Sequence, residues 1–131
     1  MELKKYIEEA KRTCPTLSTK QADNIHMALG MVTEAGELAD IFKKNLAYRR
    51  PIDWVNAKEE VGDIMWYLVN FCSINNFDLE EILGTCIEKL KVRYPEKFTE
   101  ENANNRRLDV EREVLEFGKK LEKINGGINE G

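Results

Sequence analysis

A chain of 131 residues is enough for one domain and can bury roughly two thirds of the surface its unfolded form exposes. With 34% charged residues and a formal net charge of −4, it lacks the basic surplus of a generic nucleic-acid binder, so no stable nucleic-acid partner is expected. Glycine and proline are sparse (8 and 3) while Leu, Ile, Ala, Glu and Lys recur, which favours an all-α fold. No apolar run reaches membrane-spanning length, and no signal-like stretch follows a basic N-terminus. The three cysteines, Cys14, Cys72 and Cys86, have no ligand-like spacing and read as reduced thiols of a cytoplasmic protein, two of them in core positions.

In chain order, a first helix is expected over residues 2–13, with Leu3, Tyr6, Ile7 and Ala10 as its apolar stripe and Pro15 beyond its end. A long second helix is expected from a Ser18-x-x-Gln21 capping box to about Tyr48, stopped by Arg49-Arg50-Pro51. Its apolar arc is wide: Ile25, Ala28, Leu29, Val32, Ala35, Leu38, Ala39 and Phe42, broadened by Met27 and Met31. Asp23, His26, Gly30, Glu34, Glu37 and Ile41 share a second, narrower face.

Asp53 is placed to cap a third helix from Trp54 to about Ser73. Ala57, Val61, Ile64, Met65, Leu68 and Cys72 form its core stripe. Asn56, Glu60, Asp63, Tyr67 and Asn70 form a polar row on another face, with Glu59 at the row's edge. After Asn75-Asn76, Asp78 and Glu81 form a capping box, with Phe77 and Ile82 as a hydrophobic staple, for a fourth helix to about Arg93. Residues 99–108 read as a loop. A last helix, capped by Asp109, carries the stripe Val110, Val114, Phe117, Leu121 and Ile124, and the GGINEG end is expected to fray. The whole is expected to be a bundle of about five helices in one domain, residues 1–124, with a tail over 125–131. The second and third helices carry more apolar surface than such a monomer covers, which predicts a homo-oligomer.

The chemistry sits in two acidic pairs, Glu34-Ala-Gly-Glu37 and Glu60-Val-Gly-Asp63. At i, i+3 spacing both carboxylates of each pair share one helix face. Two such helices packed antiparallel would bring four carboxylates together, and like charges at that range call for a cation between them. All-oxygen donors suit Mg²⁺ or Mn²⁺ rather than zinc or copper. Glu59 lies close enough to the row that the sequence leaves open which glutamate of the second pair is a ligand. Gly30, Gly36 and Gly62 lie inside helices, where each costs roughly 1 kcal/mol against alanine. All three read either as points of close helix–helix or helix–ligand approach or as tolerated neutral positions, and because Gly36 and Gly62 lie inside the acidic motifs, close packing is expected.

Lys89 and Arg93 share a face at i, i+4, and read either as cations that suit a helix C-terminus or, with Arg106 and Arg107, as positive charge beside an acidic site, the combination a triphosphate needs. Trp54, Trp66 and Tyr67 are candidates to stack on a base or to fill the core, and His26 for a substrate contact or an ordinary helix histidine. With one histidine in the chain, the two Glu-x-x-His pairs of a di-iron carboxylate bundle are excluded.

Glu34-x-x-Glu37, a 22-residue spacer and Glu60-x-x-Asp63 resemble the signature of the MazG-like, all-α nucleoside triphosphate pyrophosphohydrolases. The wording EAGELADIFKK, KEEVGDIMWYLVNF and KLKVRYPEKF extends the resemblance over about residues 20–108. It implies a four-helix MazG-like core, with Glu34, Glu37, Glu60 and Asp63 as Mg²⁺ ligands and Mn²⁺ as a possible substitute. Glu37 is the first choice for positioning or deprotonating the attacking water. Asn70, Lys89, Arg93 and Tyr94 look like substrate and phosphate contacts, and Tyr67, the candidate to stack on a base, is taken with them as substrate-binding. The implied reaction cleaves a (deoxy)nucleoside triphosphate to the monophosphate and pyrophosphate, in a homodimer or homotetramer. Many members carry another glutamate just before the first motif, where this chain has Thr33. The alternatives are a phosphoribosyl-ATP pyrophosphatase and a non-catalytic nucleotide- or protein-binding assembly module.

Overall fold

The computed structural model describes residues 1–126, with the side chains of residues 1–118, and contains six α-helices and no strand among them. They are α1 (Leu3–Arg12), α2 (Lys20–Tyr48), α3 (Trp54–Ile74), α4 (Leu79–Arg93), α5 (Glu100–Asn104) and α6 (Leu108–Gly126). The backbone divides after Asp78 into two compact units, the first holding α1–α3 and the second α4–α6. No described helix is long and apolar enough to cross a membrane.

In the first unit α2 and α3 run antiparallel. Asn24, near the start of α2, exchanges two amide hydrogen bonds with Asn75, just past the end of α3 (3.1 and 2.6 Å). At the other end Phe42 meets Trp54 edge to face, ring centres 6.0 Å apart. The caps are local. Asp53 accepts from the Asn56 N–H as expected. For α2 the cap is Thr19, which accepts from the Ala22 N–H, and not the expected Ser18. Two candidate hydroxyls stand side by side, and Asp23, accepting from the Leu17 N–H at 2.7 Å, fixes the entering chain so that the later one serves. α2 ends where Arg49 takes a left-handed conformation (φ 55°), which lets the Arg49 and Arg50 N–H groups satisfy the last carbonyls.

α1 lies along α3. Trp66 Nε1 donates to Thr13 Oγ1 at 2.9 Å, and Asn70 Nδ2 donates to the carbonyl of Ala10 at 3.3 Å. The core of this unit is small: Ala10, Met27, Ala57, Val69 and Cys72 are its buried apolar residues. Only part of the wide apolar arc of α2 is covered: Met27 is buried, Met31 and Leu38 are half-buried, and Phe42, though exposed, touches Trp54 of α3. Ile25, Ala28, Leu29, Val32, Ala35, Ala39 and Phe42 are exposed, and the narrower face carrying His26, Gly30 and Glu34 turns inward. On α3 the expected core stripe holds at Ala57 and Cys72, whereas Val61 is 58% exposed. Of the cysteines only Cys72 is buried; Cys14 and Cys86 are half-buried.

In the second unit α6 packs on α4. The expected loop over 99–108 contains α5, capped by Thr99, whose hydroxyl accepts from the Asn102 N–H at 3.1 Å. One turn needs no hydrophobic period, so nothing in the polar run betrayed it. α6 starts at Leu108, one residue before the expected cap. Its first backbone bond runs from the Glu111 N–H to the Arg107 carbonyl, and Asp109 falls in the first turn, where an acid suits the helix dipole. Val110 and Val114 of the expected stripe are half-buried and Phe117 is 45% exposed. The side chains of Leu121 and Ile124, and residues 127–131 of the tail, lie outside the described residues.

Candidate functional site

The acidic face of α2 meets the polar row of α3 midway along the antiparallel pair. Glu34, Glu37 and Glu60 each offer a carboxylate oxygen, and these oxygens all lie within 4.8 Å of one another. Their exposure is graded: Glu60 is buried (4%), Glu34 half-buried and Glu37 open to solvent. Asp63, one turn past Glu60, is exposed and outside this group of three, although its charge is felt at Glu60.

Burial pushes the Glu60 carboxyl above the usual carboxylate range. The charges of Glu37 and Glu34, proton sharing with Glu34 and then the charge of Asp63 push it the same way. Asn56, with its amide turned to suit its neighbours, donates to Glu60 Oε1 and to Glu59 Oε2 at 3.2 Å each. Glu60 Oε2 is buried with no donor. An ionised oxygen in that position is costly unless a cation reaches it. Three hard oxygen donors, one of them an orphan, fit a divalent ion of the Mg²⁺ or Mn²⁺ kind. Between the two glutamates the sequence left open, Glu60 turns into the group and Glu59 stays exposed on its rim.

The other expected site residues are not members of this group of three. Tyr67 is half-buried, its ring over Gly30 and edge to face with His26 and Trp66. Asn70 is buried, with Nδ2 committed to the Ala10 carbonyl and Oδ1 buried without a partner. His26 Nδ1 is also buried without a partner. Of the expected close approaches, Gly36 and Gly62 are corrected: an added Cβ would meet nothing within 4 Å among the described residues, whereas at Gly30 it would meet the Tyr67 ring. The glycine at which α3 comes closest to α2 is thus Gly30, one turn before Glu34, and neither glycine of the acidic motifs.

Lys89, Arg93 and Tyr94 belong to the second unit. Lys89 is half-buried at the end of α4. Arg93 donates through Nε and one terminal nitrogen to both oxygens of Glu111, 2.9 Å each, with its guanidinium 5.7 Å from the Tyr94 ring centre. Arg106 also reaches Glu111, at 2.7 Å. Hydrogen bonds from Arg93 and Arg106 hold the Glu111 carboxyl down to about 2, and the hydrogen bonds to Glu111 in turn raise the Arg93 guanidinium above its ordinary value. Sequence reasoning missed Glu111, because one acid among Asp109, Glu111 and Glu113 on an amphipathic helix carries no mark of burial.

Neither the curated proteins nor the solved structures yield a match to this chain. The family model described as the MazG nucleotide pyrophosphohydrolase domain matches residues 19–98, more than half of the chain, and its span includes both acidic pairs and the end of α4. The acid-bearing helix pair and this match together make the chain a member of the MazG nucleotide pyrophosphohydrolase domain family.

Proposed function

We propose that this protein is a Mg²⁺-dependent pyrophosphohydrolase that converts a (deoxy)nucleoside triphosphate to its monophosphate and pyrophosphate. In this reading it cleans the nucleotide pool of the cytoplasm, as a homodimer or homotetramer of a single catalytic domain over residues 1–124. The observation that carries the reading is Glu60 Oε2, buried without a donor beside Glu34 and Glu37. Such a cluster is a poor structural element and a good cation holder.

Glu34, Glu37 and Glu60 would hold the ion, with Asp63 on the solvent side of Glu60 as the fourth acid. When bound, Mg²⁺, or Mn²⁺ in its place, neutralises phosphate charge and acidifies water. Glu37, the exposed member, is free to orient a water and take its proton as the water oxygen attacks the α-phosphorus. The bond from that phosphorus to the bridging oxygen breaks, and pyrophosphate leaves. Lys89, Arg93 and Tyr94 are assigned to phosphate oxygens and substrate. For Arg93 this means sharing a guanidinium between Glu111 and a phosphate. Tyr67 and Asn70 are assigned to the nucleoside.

The test is incubation with mixed deoxynucleoside triphosphates and Mg²⁺. Monophosphate and pyrophosphate in equal amounts are expected. Orthophosphate as the product, or no turnover, sinks the assignment.

A further inference from the structure

Packed helices keep a separation set by the side chains at their contact. Between α2 and α3 one contact is a ring on bare backbone. A Cβ built on Gly30 would overlap Cε1, Cδ1 and Cζ of the Tyr67 ring, well inside the 3.0 Å that real Cβ atoms keep. Two aromatic rings flank the half-buried Tyr67 ring. Trp66 stands against it at right angles, ring centres 4.9 Å apart, and His26 lies edge to face at 6.0 Å. Trp66 is itself tied to Thr13 by its Nε1–H.

Gly30 lies four residues before Glu34, and Tyr67 lies four after Asp63 and seven after Glu60. Four residues of helix span about 6 Å. Over that length a helix is stiff, so a change of separation at the ring is carried to the acids. The carboxylate oxygens of Glu34, Glu37 and Glu60 come from both helices, and their spacing depends on that separation.

We propose that Gly30 is a positioning residue: by letting the Tyr67 ring rest on α2, it sets the helix separation at which Glu34 and Glu37 meet Glu60, and so the cluster's affinity for a divalent cation. The inference rests on the metal reading of that cluster.

The test is Mn²⁺ titration without nucleotide, followed by the electron paramagnetic resonance signal of free Mn²⁺, together with thermal melting. It compares wild type, Glu60→Gln, Gly30→Ala, Tyr67→Leu and the Gly30→Ala/Tyr67→Leu double variant. Glu60-dependent binding is expected in the wild type. Gly30→Ala should weaken it about tenfold or more, the effect expected when the support of a ligand set is disturbed. The double variant should bind more tightly than Gly30→Ala, because leucine frees the space the new methyl needs. Gly30→Ala binding within about twofold of wild type, with only its melting temperature lowered, overturns the proposal and leaves Gly30 a packing residue. If Gly30→Ala does not fold, Tyr67→Leu decides: unchanged Mn²⁺ affinity overturns the proposal and weakened affinity supports it. Absence of Glu60-dependent binding in the wild type sinks the metal reading and this inference with it, a result distinct from the others.

Discussion

Glu111 on α6 accepts from Arg93 at the end of α4 through both carboxylate oxygens, in a place where its own side chain is 4% exposed. The second unit is thus fastened by a charged clamp, completed by Arg106. Removing Glu111 leaves the mostly buried Arg93 guanidinium without its two-pronged partner, and removing either arginine leaves the buried carboxylate with one guanidinium in place of two.

The clamp has a pH signature. The Glu111 carboxyl is held at about 2, against 4.5 for an unperturbed glutamate. A carboxyl depressed by folding contributes stability above its unfolded value, and that contribution is lost as pH falls toward the folded one. Melting followed by circular dichroism should therefore show wild type losing stability between about pH 4.5 and pH 2. Glu111→Gln should melt lower than wild type at pH 7 and lose less across the same window. Parallel curves for the two proteins would refute the clamp.

In the first unit the sign of the mutational effect reverses. Glu60→Gln keeps side-chain shape and removes a charge that Glu34, Glu37 and Asp63 all oppose. Metal-free stability should hold or rise, while pyrophosphate release should fall by a factor of about 100 or more. Glu59→Gln, exposed and outside the group of three, is the matched control and should change neither much. Loss of activity in Glu59→Gln, with Glu60→Gln near wild type, would place the ligand one residue earlier.

Metal and nucleotide should stabilise together. Binding to the native state raises stability by mass action, and Mg²⁺ keeps waters and shares substrate phosphates. Mg²⁺ plus a bound nucleotide should raise the melting temperature more than Mg²⁺ alone. Equal melting temperatures with and without the pair would count against the assignment.

The outward face of α2 predicts assembly. Ile25, Leu29 and Val32 recur at 4 and 3 and are 51%, 59% and 69% exposed. An apolar row of this kind is where a contact between copies of the chain is expected. Light scattering should give a dimer or tetramer at micromolar concentration, and Leu29→Glu should shift it toward a smaller species. A stable wild-type monomer would remove the basis for the prediction.

Much of the local structure was legible because it rests on local chemistry. Asp53 caps α3 from within four residues, and the periodicity of α2 and α3 needs no partner to be read. The i, i+3 spacing of the acids put Glu34 with Glu37, and Glu60 with Asp63, on common faces before any contact was known. Tertiary structure decided what depends on a second element. Whether Glu59 or Glu60 turns inward is a matter of tens of degrees about the α3 axis, fixed by α2 opposite it. Gly30, and not Gly36 or Gly62, became the close approach because Tyr67 stands across from it. A hydrophobic stripe records that a face avoids water, but not what covers it: within the arc of α2, Met27 is buried while Ile25, Leu29 and Val32 are exposed. Glu111 was invisible for the same reason: its burial and its lowered pKa come from two arginines that only the folded chain brings to it.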